Sequence, residues 1–230
     1  MTARIAVFAS GRGSNLQALH AYLERTGGAE VVLVASDRPA AGALAWARDR
    51  GTAAATLESA GRDAQAMLDV LSASRIDCVV LAGYLRLVPP EVVRAYHGRI
   101  VNVHPALLPA FGGPGMYGER VHRAVLQSGA RVSGPTVHFV DEVYDHGAII
   151  AQWPVPVFAD DTESALAARV LRAEHLLLPR VAHLVATGRL APNHQARGLA
   201  APAMRERAAF FLATPEDDAL AESMASALGG

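Results

Sequence analysis

From residue 4 to residue 103 the chain alternates apolar β runs with segments of helical period, and that alternation leaves few folds open. Residues 4–10, 30–36, 52–57, 76–82 and 99–103 read as short strands, with Asp77 as the polar exception in the fourth. Between them, residues 15–25 repeat apolar positions at helical spacing (Leu16, Leu19, Tyr22, Leu23). Residues 40–50 are Ala-rich and end at Gly51, residues 63–74 carry Met67, Leu68 and Leu71 on one face, and residues 89–96 open on prolines. Prolines suit the first turn of a helix. Strands that are apolar throughout, each followed by a helix, pair in parallel and are covered on both faces.

After His104 the pattern changes. Residues 105–118 form a Pro/Gly-rich loop, and residues 120–127 a helix ending near Gly129. The β runs 136–140 and 148–157 flank a short loop and are expected to pair as an antiparallel hairpin. Asp161-Thr162-Glu163 opens a long helix through residue 185, with Asp161 or Thr162 as its cap. The expected architecture is α/β: a Rossmann-like, mostly parallel sheet with helices on both faces and an antiparallel C-terminal hairpin. One domain spans residues 1–190, and the Ala-rich tail 191–230 is either helical or partly disordered.

Composition narrows the function classes. The 230 residues are 51% hydrophobic and 19% charged, with a formal net charge of -1 and no basic run. Such a surface does not attract nucleic acid electrostatically. The single cysteine, Cys78, allows no internal disulfide and no multi-cysteine metal site, and its apolar context suits a buried thiol. No signal peptide or bilayer-spanning stretch is recognisable. A cytoplasmic protein with no nucleic-acid or membrane partner is therefore expected.

Four segments carry chemistry. Ser10-Gly11-Arg12-Gly13-Ser14-Asn15 joins the first strand to the first helix. Its glycines admit close backbone approach, and a helix start offers free N–H groups to a phosphate. Leu16 stands where a dinucleotide fingerprint needs its third glycine, although Asp37 follows the second strand where a ribose-binding acid would sit. A tight strand-to-helix turn is the structural alternative. Leu81-Ala82-Gly83-Tyr84-Leu85-Arg86-Leu87-Val88-Pro89 follows the central strand. Apolar groups around one Arg suit a flat heterocycle at a strand C-terminus, where open α/β sheets hold ligands; the alternative is a solvent-facing Arg.

In the fifth run, Asn102 and His104 are two apart and share a strand face. An amide and an imidazole placed together polarise a carbonyl and handle a proton, or else satisfy loop backbone. In 136–147, Thr136 and His138 fall opposite Val137 and Phe139, and Asp145 precedes a His-Gly turn. His138 reads as a structural strand histidine. His and Asp make a metal conceivable here, but no pair of histidines lies four apart on a helix, and no metal is expected.

Together, Gly11-Arg12-Gly13-Ser14-Asn15, Leu81-Ala82-Gly83-Tyr84-Leu85-Arg86, the 102–109 block Asn-Val-His-Pro-Ala-Leu-Leu-Pro, Val137-His138-Phe139-Val140 and Asp145 resemble the phosphoribosylglycinamide formyltransferase family over about residues 4–188. The resemblance implies a formyltransferase domain that moves the formyl group of 10-formyltetrahydrofolate, a co-substrate, to the amine of 5'-phosphoribosylglycinamide in purine (IMP) biosynthesis. Transfer would be direct, through a tetrahedral intermediate. It implies Asn102, His104 and Asp145 as catalytic residues: Asn102 and a protonated His104 donate to the oxyanion, and Asp145 holds His104 charged. Gly13, Ser14 and Asn15 would hold the phosphate and Glu174 the ribose. Arg62, Leu85, Arg86, Leu87, Val88 and Asn102 would contact the folate, with Val92, Val93 and residues 140–145 walling its pocket. Its partners would be these small molecules, the protein a monomer or homodimer. Replacing Asn102 or His104 by Ala is then expected to be far more damaging than His138→Ala.

The chain departs from the common family pattern in residues 112–118, a Gly-rich insertion, and at Arg120, Pro135 and His146. A formyltransferase acting on another amine, a hydrolase releasing formate, and a non-catalytic nucleotide-binding module are the rival readings. A dehydrogenase would want the missing glycine.

Overall fold

In a computed structural model the described residues are 2–57 and 63–192. Five strands alternate with helices: β1 (Ala3–Phe8), α1 (Ser14–Thr26), β2 (Ala29–Ser36), α2 (Gly42–Asp49), β3 (Ala53–Thr56), α3 (Ala64–Ala73), β4 (Cys78–Leu81), α4 (Pro90–Ala95) and β5 (Ile100–His104). Then follow α5 (Glu119–Gln127), β6 (Val132–Ser133), β7 (Thr136–Phe139), β8 (Ile149–Gln152), β9 (Val155–Pro156) and α6 (Glu163–Ala186). Seven strands form one sheet in the order β3-β2-β1-β4-β5-β7-β8. Its first five members are parallel, while β7 is antiparallel to both β5 and β8. The expected fold class and hairpin are present.

Strand alternation builds two cores. Ile5 and Val7, Cys78 and Val80, and Val101 and Val103 face α1, α2, α5 and α6. Ala6 and Phe8, Val79 and Leu81, and Ile100 face α3 and α4. Asn102 and His104 continue the second face past Ile100, so the face that packs apolar groups lower down carries polar chemistry at its C-terminal end. Cys78 is fully buried, and burial pushes its thiol up to about 12, as expected of an inert packing residue.

The second β run of the hairpin is not one strand. It breaks at Trp153-Pro154, because proline has no N–H to extend the ladder. Val155–Pro156 instead pairs antiparallel with Val132–Ser133, a two-residue strand outside the runs read from the sequence. Thr162, not Asp161, caps α6: its Oγ1 accepts the Ala165 N–H at 3.1 Å. Asp161 accepts both guanidinium nitrogens of Arg169, at 2.7 and 2.8 Å. Arg62 and nearly all of the 191–230 tail lie outside the described residues.

Candidate active site

The loops at the C-terminal ends of β1, β4 and β5 enclose a cavity of about 410 Å3. Its position follows the rule for open α/β sheets, since β1 sits where the strand order reverses between β2 and β4. Asn102, His104 and His138 line its floor, and Asp145 closes in from the loop after β7.

Register brings the floor together. The β5–β7 pairing sets Asn102 opposite His138 and His104 opposite Thr136. His138 donates Nδ1–H to the Phe139 carbonyl at 2.7 Å, which leaves Nε2 to accept an Asn102 amide N–H at 3.0 Å. The carboxamide nitrogen also reaches Asp145 Oδ1, at 3.5 Å. His138 is therefore an orienting partner of Asn102, a role its placement in an apolar strand hid in the sequence.

His104 is held from both sides. Its Nε2–H donates to the Phe111 carbonyl at 2.8 Å, and Nδ1 faces Asp145 Oδ2 at 3.4 Å. Burial lowers the His104 pKa below 6.5, outweighing the opposing pull of Asp145 and the Phe111 carbonyl. The ring's Nε2–H is spent on the Phe111 carbonyl, and its Nδ1 faces the carboxylate expected to hold the ring charged. Asp145 is held below the usual carboxylate range: burial raises it, but the facing imidazoles of His138 and His104 and the Gly113 N–H at 2.9 Å outweigh that.

The Gly-rich insertion makes this arrangement. Phe111 has φ 57 and so turns its carbonyl toward His104. A Cβ on Gly112 would meet Leu108 Cδ2 at 2.5 Å and Asp145 Cβ at 3.2 Å, so the insertion packs directly on the acid. Asp145 itself has φ 54, within a turn, and a Cβ on Gly147 would collide with the Phe139 carbonyl. Thr136 pins the preceding loop, accepting the Leu108 N–H at 3.0 Å and donating to the Ala106 carbonyl at 2.7 Å.

One end of the cavity is polar. Asn15 donates to Glu174 Oε2 at 2.6 Å, and burial pushes that carboxyl up to about 7. Asn15 Oδ1 is buried without a partner among the described residues. Gly13 and Ser14 lie at the start of α1 beside Asn15, but do not line the cavity. The other end is apolar, with Leu81, Leu85, Leu87, Val88 and Val140 in the wall. Leu85, Arg86, Leu87 and Val88 all line it as expected. The Arg86 guanidinium, however, turns to Asp37 at 3.2 Å. Asp37 also accepts from Ser10 Oγ at 2.5 Å, and Ser10 Oγ accepts the Leu85 N–H at 3.0 Å. Asp37 therefore braces the 83–88 loop, and the dinucleotide reading loses its ribose acid. Val92 and Val93 do not wall the cavity; both are buried in the α3/α4 core beneath it. His122 of α5 does line it, with a buried Nδ1 that has no partner among the described residues. Arg120 stacks on Tyr117 at 5.0 Å, and His146 pairs with Asp141 at 2.6 Å on the surface.

The formyl transferase family model matches residues 3–182. The chloroplastic phosphoribosylglycinamide formyltransferase of Arabidopsis thaliana is 45% identical over 194 residues, covering 81% of this chain and 66% of that protein. The chain thus spans just under two thirds of that relative's length. Glycinamide ribonucleotide transformylase 1 from Symbiobacterium toebii superposes with a TM-score of 0.75 at 42% identity, covering 83% of this chain and 90% of that one. Phosphoribosylglycinamide formyltransferase from Brucella melitensis gives 0.73 at 40% identity, covering 82% and 97%. With this cavity, this sheet order and these matches, the chain belongs to the phosphoribosylglycinamide formyltransferase family.

Proposed function

We propose that the protein transfers a formyl group from 10-formyltetrahydrofolate to the amine of 5'-phosphoribosylglycinamide, as the names of its relatives suggest. The observation that carries this reading is the convergence of Asn102, His104 and Asp145 on one cavity with an apolar end and a polar end. A pterin fits the 85–88 wall, whose backbone edge can hydrogen-bond a heterocycle. The ribonucleotide fits the other end, where Glu174 meets ribose hydroxyls and the start of α1 meets the phosphate.

The donor supplies a carbonyl carbon open to the substrate amine. Attack moves negative charge onto the carbonyl oxygen. Asn102 spends one amide hydrogen on His138 and keeps the other, loosely held at 3.5 Å from Asp145, for that oxygen. Because His138 fixes the carboxamide beforehand, the donor needs no reorganisation as charge develops. The attacking amine must lose a proton. His104, with Nδ1 toward Asp145, accepts it there, and the protonated ring and Asp145 form an ion pair across the 3.4 Å contact. His104 then returns the proton to the departing nitrogen.

Absorbance at the folate band tests the proposal, with 10-formyltetrahydrofolate or its dideaza analogue, with and without glycinamide ribonucleotide. Turnover that requires the ribonucleotide is expected. Turnover without it would replace this reading by a hydrolase, and none in either case would remove it.

A further inference from the structure

Arg12 stands at the rim of the cavity beside Asn15 and is exposed. No hydrogen bond or ion pair holds its guanidinium among the described residues. The other guanidinium in the lining, that of Arg86, is neutralised by Asp37. The remaining charged groups of the lining are Glu119, Asp141, Asp145 and Glu174, all acids. An anionic ligand group therefore meets an uncompensated positive side chain at one place on the wall.

The backbone around Arg12 is aimed and fixed. Gly13 caps α1 with φ 82 and no side-chain cap, and the first turn of α1 has no acid to offset its dipole. Its first N–H groups are thus left for an anion. Behind the loop, Ala43 donates N–H to the Gly11 carbonyl at 3.1 Å. A Cβ on Gly42 would touch Arg12 Cα at 3.2 Å, and one on Gly13 would touch Ala43 Cβ at 3.0 Å. The backbone is closely packed here, while the Arg12 side chain is exposed. Next to it, Asn15 is only 8% exposed, yet its Oδ1 lacks a partner among the described residues. Asn15 lines the same cavity, and the hydroxyls of a sugar phosphate would supply the donor that its Oδ1 lacks.

We propose that Arg12 clamps the phosphate of the substrate, closing over a group already seated on the start of α1. The inference rests on reading the polar end as a ribonucleotide site. A planar guanidinium meets phosphate oxygens in pairs, which gives direction as well as charge. It also sets specificity, because a substrate lacking the phosphate leaves Arg12 with nothing to hold.

Two measurements on the full chain test this. The first compares binding of ribose 5-phosphate and ribose, by calorimetry, to wild type, Arg12→Ala and Arg12→Lys. Arg12→Ala is expected to weaken ribose 5-phosphate about tenfold or more and leave ribose unchanged, with Arg12→Lys between. The second is steady-state kinetics with glycinamide ribonucleotide. Arg12→Ala should raise its KM by a similar factor, with kcat and the folate KM within about twofold. Equal ribose 5-phosphate affinity in wild type and Arg12→Ala would overturn the clamp, whatever the formyl chemistry. Arg12-dependent sugar-phosphate binding without formyl transfer would keep the clamp and remove the proposed reaction instead.

Discussion

Glu174→Gln removes a carboxyl that the fold holds in an unfavourable state. The side chain is buried behind Asn15, and burial raises its pKa from 4.5 to about 7. At about 1.4 kcal/mol per unit of pKa, ionising it inside the fold costs roughly 3 kcal/mol. The sign follows from proton counts. Between about pH 4.5 and pH 7 the folded chain keeps a proton that the unfolded chain has lost, so this contribution falls as pH rises and is fully lost above about 7. Gln keeps an oxygen for the Asn15 N–H at the same place but does not titrate. Urea unfolding of both proteins at about pH 5 and about pH 8, read as a two-state transition, should show the wild type losing roughly 2–3 kcal/mol more than the variant. Ribonucleotide binding should strengthen over the same interval in the wild type alone, as the carboxylate gains its second acceptor. Equal pH slopes for the two proteins would refute the account of Glu174 as a buried acid that ionises near neutrality.

Asn102→Ala should lower kcat by about 10²–10³ with little change in either KM. His138→Ala, which only frees the carboxamide, should lower kcat by about tenfold, a gap that rapid-quench turnover can read. With His104 proposed as the base and its pKa lowered by burial, kcat should hold at neutral pH and fall on the acid side as the ring becomes charged; a pH–rate profile with its acid limb above 6.5 would contradict this. Gly147→Ala places a methyl against the Phe139 carbonyl and displaces the turn that presents Asp145, so turnover should drop more than thermal stability does.

The parallel half of the fold is legible because each strand is a local apolar run and each helix a local period, so β1 to β5 need no long-range information. Asn102 and His104 are legible for the same reason: two positions on one strand share a face. The arrival of Asp145 is different. It depends on the register that sets Asn102 against His138 and on a left-handed turn at residue 145, and neither has a local signature. Resemblance supplied that residue where periodicity did not. The break at Pro154 was readable from proline's missing N–H, yet the partner that Val155–Pro156 finds in Val132–Ser133 is too short to announce itself. His138 looked like packing because its neighbours are apolar; only the tautomer forced by the Phe139 carbonyl shows that its Nε2 orients Asn102. The burial of His104, which opposes the charge that Asp145 favours, has no local signature in the sequence.

The central claim is that Asn102, His104 and Asp145 act on a single carbonyl carbon delivered to a waiting amine. The most direct measurement is a single-turnover experiment with donor labelled at the formyl carbon, the products being separated and counted. The account predicts the label on the ribonucleotide amine in wild type and almost none there with Asn102→Ala. Label leaving as formate, or reaching the ribonucleotide equally fast in both proteins, would contradict it.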